Sequence, residues 1–251
     1  MYGDAVDVTC LLKPGMSPHT YEPTPEDMVT VSQADVFLSV GLGLEEWIEK
    51  IAQAAGSGHV QSHAIGEETF APGGQGSHDM LIGDNPHVWM DPVLAILMCR
   101  QIARDLEQAR PGLGSASASR IAAYEAQLQA LGKECEAAFP DKKGKGVVTF
   151  HNAYTYMLKR CGLTQAAVIE EFPGKEPSAA YLEDLVKTMR KINQHIIFAE
   201  PQLSDKAARV IAQEIDGRVE IMDDTGGENV PERDTYVKMI RYNLAKLRDA
   251  L

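Results

Sequence analysis

The chain has 251 residues, with 36 acidic against 24 basic side chains and a formal net charge of −12. Phosphate binding requires clustered Lys and Arg, so no nucleic-acid partner is expected, whereas a cation is compatible with this balance. The length suits one large domain or two modest ones, no apolar run could span a bilayer, and Met1-Tyr2-Gly3-Asp4 opens no signal peptide. The chain is then either cytoplasmic or a mature or trimmed form of an exported protein.

Short apolar runs rich in Val, Ile and Phe predict strands at Val6–Leu12, Asp35–Val40, His59–Ile65, Val147–His151, Ala166–Glu170, His195–Glu200 and Arg218–Met222. Helical periodicity occupies roughly 25–33, 44–55, 91–109, 152–161, 178–193, 204–215 and 234–250. Pro25-Glu26-Asp27 is a proline-first, acid-rich helix start, and Gly217 stands where a C-terminal glycine belongs. Alternating strands and helices imply an α/β fold with mainly parallel sheets. One helix breaks the rhythm. From Ser117 to Phe139 the residues Ile121, Tyr124, Leu128, Leu131, Cys135 and Phe139 recur at spacings of three and four, an amphipathic rod of roughly 35 Å. The preferred organisation is an N-terminal lobe (1–114), a bridging helix (115–139) and a C-terminal lobe (140–251), the alternative being a single sheet with one long crossover helix.

Three histidines close unusual phrases: Pro18-His19-Thr20-Tyr21, Asn85-Pro86-His87-Val88-Trp89 and Phe150-His151-Asn152-Ala153-Tyr154. The intervals are 68 residues (19 to 87), 64 (87 to 151) and 72 from His151 to the pair Asp223-Asp224. Three imidazoles and one carboxylate make a tetrahedral set for zinc. Ligands in open α/β sheets bind beyond the carboxyl ends of strands, and His19, His87, His151 and Asp223 all follow predicted strands, two in each lobe. Asp223 and Asp224 compete for the fourth place, because period-2 geometry sends their side chains in opposite directions. Glu200 ends another strand as a further ligand or as a partner for an imidazole N–H, and Asn152 and Glu22 are weaker candidates of the second kind. Tyr21, Trp89, Phe150 and Tyr154 are expected to wall the site from water. His59, His63, His78 and His195 read as surface or strand residues, with His78 also a weak accessory ligand. Cys10, Cys99, Cys135 and Cys161 lack CxxC spacing and read as buried free thiols, one disulfide being the alternative in an exported protein.

Pro14-Gly15-Met16-Ser17-Pro18-His19-Thr20-Tyr21-Glu22-Pro23, Asn85-Pro86-His87-Val88-Trp89-Met90-Asp91-Pro92, Phe150-His151-Asn152-Ala153-Tyr154, Phe198-Ala199-Glu200-Pro201 and Met222-Asp223 occur in this order along nearly the whole chain. In these phrases it resembles the zinc/manganese-specific solute-binding proteins of bacterial ABC importers, the cluster A-I family. The resemblance implies two lobes bridged by a rigid helix, with one metal in the cleft held by His19, His87, His151 and Asp223. It implies an extracytoplasmic receptor, periplasmic or membrane-attached, that acts as a monomer, is no enzyme, and delivers Zn²⁺ (Mn²⁺ second) to an ABC permease. An imidazole at 151, where manganese-type members have glutamate, favours zinc. Two departures stand out: the family's first strand and helix are not seen ahead of Val6–Leu12, and Gly66–Asp84 lacks a histidine-rich loop. The rival readings are a zinc hydrolase with Glu200 as general base and a metal-stabilised adhesin module.

Overall fold

The computed structural model describes every residue except 49, 52–58, 171, 172 and 176. It divides into unit 1, residues 1–13 and 18–130, and unit 2, residues 14–17 and 131–251. Among the described residues no helix is long and apolar enough to cross a membrane.

Unit 1 opens with α1 (Pro25–Ser32), whose start is secured by a capping box between Thr24 and Asp27 with Pro25 at the first helical position. Strands β1 (Val36–Ser39) and β2 (Gln61–Ala64) pair in parallel, with Leu38 opposite His63. The chain then passes directly into α2 (Ile65–Phe70). Gly66 is required at this junction: a Cβ there would lie 2.6 Å from the carbonyl oxygen of Val40, which accepts the Gly66 N–H. Helix α3 (Pro92–Ala109) starts on an Asp91 cap, its carboxylate accepting from Val93 N at 2.9 Å. Helix α4 (Leu113–Glu136) carries the chain across the boundary between the units.

The strand expected at Val6–Leu12 does not form. Asp7–Cys10 are exposed, Val8 at 80%, while Leu11 and Leu12 pack against the Val31–Trp47–Ile51 cluster. Among the described residues no strand pairs with this segment, and a strand without a partner leaves its ladder groups unpaired. Helix α2 is not among the expected elements: six residues are too few to declare a 3.6-residue period. Of the helix expected at 44–55, residues 48, 50 and 51 are helical, while 49 and 52–55 lie outside the described residues.

Unit 2 holds a four-stranded parallel sheet of β3 (Gly146–Thr149), β4 (Thr164–Val168), β5 (Ile196–Ala199) and β6 (Arg218–Ile221) in the order β4-β3-β5-β6. Helix α5 (Thr155–Arg160) connects β3 to β4, α6 (Ala179–Lys191) connects β4 to β5, and α7 (Lys206–Glu214) connects β5 to β6. Strand β5 is buried along its whole length, which explains its unbroken Ile-Ile-Phe-Ala run. The core joins Val148, Phe150 and Ile197 to Leu185, Met189 and Ile211. Helix α8 (Tyr236–Ala250) closes the chain. The order of the strands reverses between β3 and β5, and such a switch point is where open α/β sheets place ligands.

All four cysteines are free thiols. Cys135 and Cys161 are buried as expected, Cys99 is intermediate, and Cys10 is exposed because its segment is not a strand.

Candidate metal centre

In unit 1 the phrase around His19 is anchored from outside the turn. Trp47 donates its indole N–H to Pro18 O at 2.8 Å, and Tyr21 packs edge-on against Trp47. The Tyr21 hydroxyl donates to Asp27 at 2.6 Å, tying the phrase to the α1 cap. Burial, reinforced by this bond, pushes Tyr21 up to about 12. Glu22 is exposed, so it is no imidazole partner.

His87 is fully buried, and Asn85 sets its tautomer. The carboxamide oxygen of Asn85 accepts the backbone N–H of His87 at 3.0 Å and faces His87 Nδ1 at 2.8 Å. A backbone N–H can only donate, so the facing atom is oxygen, and Nδ1 must carry the proton. The Nε2 of a neutral His87 therefore presents its lone pair. That atom lies 3.0 Å from Nε2 of His19, the rings tilted by 50°. Two imidazole nitrogens this close share a proton or share a cation. Trp89 packs on the far ring of this pair, 5.1 Å from His87.

In unit 2 the sheet presents three acids and an imidazole. His151 follows β3, Glu200 follows β5, and Asp223-Asp224 follow β6, each at a carboxyl end. His151 and Glu200 thus sit on the two strands that flank the switch point. Nδ1 of His151 is 3.1 Å from Glu200 Oε1, and Nε2 is 3.8 Å from Asp224 Oδ2. All of these residues are nearly inaccessible to water, and Phe150 and Tyr154 are buried beside them. Burial opposes charge on His151, yet Glu200, Asp224 and Glu170 outweigh it and lift its pKa above the usual value. Burial raises Glu200, and raises Asp224 to about 7.

The two aspartates have separate duties. Asp223 Oδ1 accepts from Gln202 Nε2 at 2.7 Å, Gly226 N at 2.9 Å and Thr225 N at 3.1 Å, while Oδ2 pairs with Arg233 at 3.2 Å. Buried Asn243 on α8 accepts Asp223 N–H and donates to Asp223 O, holding the same turn. Asp224 is the carboxylate that lies toward Nε2 of His151.

Asn85, Gln202, Arg233 and Asn243 are supporting residues that the sequence reading misses. Asn243 does carry a signal, a carboxamide among the buried apolar positions Met239, Ile240, Leu244 and Leu247 of α8. His59, His78 and His195 are exposed, and His195 Nδ1 bonds Ile215 O, so none contributes to these clusters. Asn152 opens the 3-10 turn after His151, its carbonyl accepting from Thr155.

The chain is 30% identical over 260 residues to the high-affinity zinc uptake system protein ZnuA of Bacillus subtilis (strain 168), covering 99% of this chain and 82% of that protein. It is 30% identical over 262 residues to the zinc-binding lipoprotein AdcA of Streptococcus pneumoniae serotype 4, covering 98% of this chain and only 52% of AdcA, so the chain spans about half of that relative. A crystal structure of ZnuA superimposes with a TM-score of 0.84 at 27% identity, over 99% of this chain and 92% of that one, and shares the two-lobed parallel α/β fold. A sequence model of the zinc-uptake complex component A, periplasmic, matches residues 1–250, and the chain belongs to this ZnuA family.

Proposed function

We propose that the chain is an extracytoplasmic Zn²⁺ receptor that hands its cargo to an ABC permease. The carrying observation is the His19–His87 pair, in which Asn85 fixes the tautomer that leaves His87 Nε2 as a donor. His19, His87 and His151 are proposed to bind one ion together with a carboxylate. Asp224 replaces Asp223 in that place, because Asp223 spends both oxygens on its own turn and Arg233. Glu200 stands behind His151 and orients it, as carboxylates do for metal-bound imidazoles. Three neutral imidazoles with Asp224 and Glu200 balance a dication, and nitrogen-rich donors favour zinc over manganese.

Family membership and the zinc named for the relatives support the cargo, and the family description supports the periplasm and the permease. The donor set needs no second copy, so the chain is proposed to act as a monomer. It is proposed to make and break no bonds: four protein ligands leave no position for a reactive water, which disfavours the hydrolase. The test is a Zn²⁺ titration of the metal-free chain against a competing chelator. Asp224→Asn is expected to weaken binding about tenfold or more, whereas Asp223→Asn lowers the melting temperature with a smaller change in affinity. The reverse pattern restores Asp223 as ligand, and full affinity in both variants rejects a carboxylate ligand from this pair.

A further inference from the structure

A second cluster lies wholly within unit 1, and none of the proposed zinc ligands belongs to it. His63 on β2, Glu68 on α2 and Asp105 on α3 place one donor atom each within 4.8 Å of one another. His63 Nδ1 is 3.2 Å from Glu68 Oε1 and 3.9 Å from Asp105 Oδ1. Gln101, one turn before Asp105, donates its amide to both acids, at 2.8 Å to Asp105 and 3.2 Å to Glu68. The elements enforce this meeting. Gly66 lets β2 run straight into α2, which brings Glu68 back over His63, and the buried face of α3 supplies Gln101 and Asp105.

The cluster is under-compensated as a purely protein network. Asp105 is 2% exposed and Gln101 3%. Asp105 Oδ2, Gln101 Oε1 and His63 Nε2 are buried without a hydrogen-bond partner. Among the described residues neither Glu68 nor Asp105 forms an ion pair with Lys or Arg, and Arg104 next door reaches instead toward Gly73 O. A buried acid such as Asp105 is costly without a positive partner, and it shares one imidazole with the partly exposed Glu68. Burial raises the pKa of Asp105, with Glu68 adding to the rise and His63, Gln101 and the nearby Arg104 opposing it. A dication would offset both charges and occupy the orphaned carboxylate oxygen.

We propose that His63, Glu68 and Asp105 form a second site, for a divalent transition-metal ion of the Zn²⁺ or Mn²⁺ class. One nitrogen and two carboxylates are a borderline donor set with a place left for water, and Gln101 is the positioning residue that holds the acids in register. The site goes beyond the receptor reading and stands or falls separately from it.

The experiment is equilibrium dialysis of the metal-free full chain against micromolar ZnCl₂, and separately MnCl₂, with bound metal counted by mass spectrometry. Two ions per chain are expected. Asp105→Asn and Glu68→Gln each remove one, and His87→Ala removes the other. Circular dichroism shows whether Asp105→Asn remains folded; if it does not, Glu68→Gln, at a partly exposed position, carries the test. One ion per chain, lost in His87→Ala and kept in Glu68→Gln, overturns the second site and leaves the receptor reading intact. One ion lost only in the Asp105 and Glu68 variants does the opposite. A second ion that binds these variants as it binds the parent chain also overturns the proposal.

Discussion

His87 and His151 are both buried imidazoles with the Nδ1 edge occupied, but the two units set them up with different chemistry. In unit 1 a neutral carboxamide fixes the tautomer of His87 and adds no charge. In unit 2 a buried carboxylate faces His151, and a second one lies toward its other nitrogen. One arrangement selects which nitrogen donates. The other builds up negative charge that only a proton or a cation can relieve. A cation receptor gains from having both, since orientation costs little and charge supplies affinity.

Removing either imidazole is the largest expected effect. His87→Ala and His151→Ala are each predicted to weaken Zn²⁺ binding on the order of 10²–10³-fold, about 3–4 kcal/mol of a structural-zinc-sized binding energy, read by chelator competition. Unchanged affinity in either variant breaks the pairing of the two units in one function.

The charge difference predicts an unusual pH response in the metal-free protein. Asp224 is raised to about 7 and His151 is also raised, so the folded chain holds protons that the unfolded chain has already released. Raised pKa values stabilise the fold at low pH, and that stability is lost as pH rises through the folded values. Metal-free protein is expected to lose on the order of 2–4 kcal/mol between about pH 4 and pH 7, with Zn²⁺ restoring it. Zinc affinity runs the other way and falls on acidification, because protons compete for His151. Flat thermal-melting curves across this range, without metal, would show that the unit 2 charges are compensated by other means.

A subtler separation comes from the groups behind the imidazoles. Glu200→Gln and Asn85→Ala are both predicted to cost 10–100-fold in zinc affinity, the glutamate nearer the upper end because a charge goes with it. Equal losses would erase the distinction between the units. The smallest effect belongs to Tyr21→Phe, which removes the bond to Asp27. It should cost about 1 kcal/mol of stability in denaturant melts and leave zinc affinity within a few-fold.

Much of the fold and of the candidate site is legible in the residues themselves. Proline and aromatic neighbours single out His19 and His87, and apolar runs locate the four strands of unit 2, whose exits carry His151, Glu200 and the aspartates. Other features depend on tertiary context. Val6, Val8 and Cys10 alternate as a strand should, but alternation does not supply a neighbouring strand. Which aspartate turns toward His151 is decided by Gln202, Arg233 and Asn243, three residues remote in sequence from the pair. His63 is inconspicuous because a histidine in a strand is ordinary, and its acidic neighbours arrive from two separate helices.

The neighbouring aspartates carry a last consequence. Asp223 works as a rivet: through Asn243 it fastens the final helix to the loop after β6, and through Gln202 and Arg233 it stiffens that loop. Position 224 is thereby presented from a turn that Asp223 and its partners hold in place. With Asp224 as the ligand proposed above, exchanging it for glutamate, histidine or asparagine is expected to retune selectivity at one residue while Asp223 and its partners hold the fold.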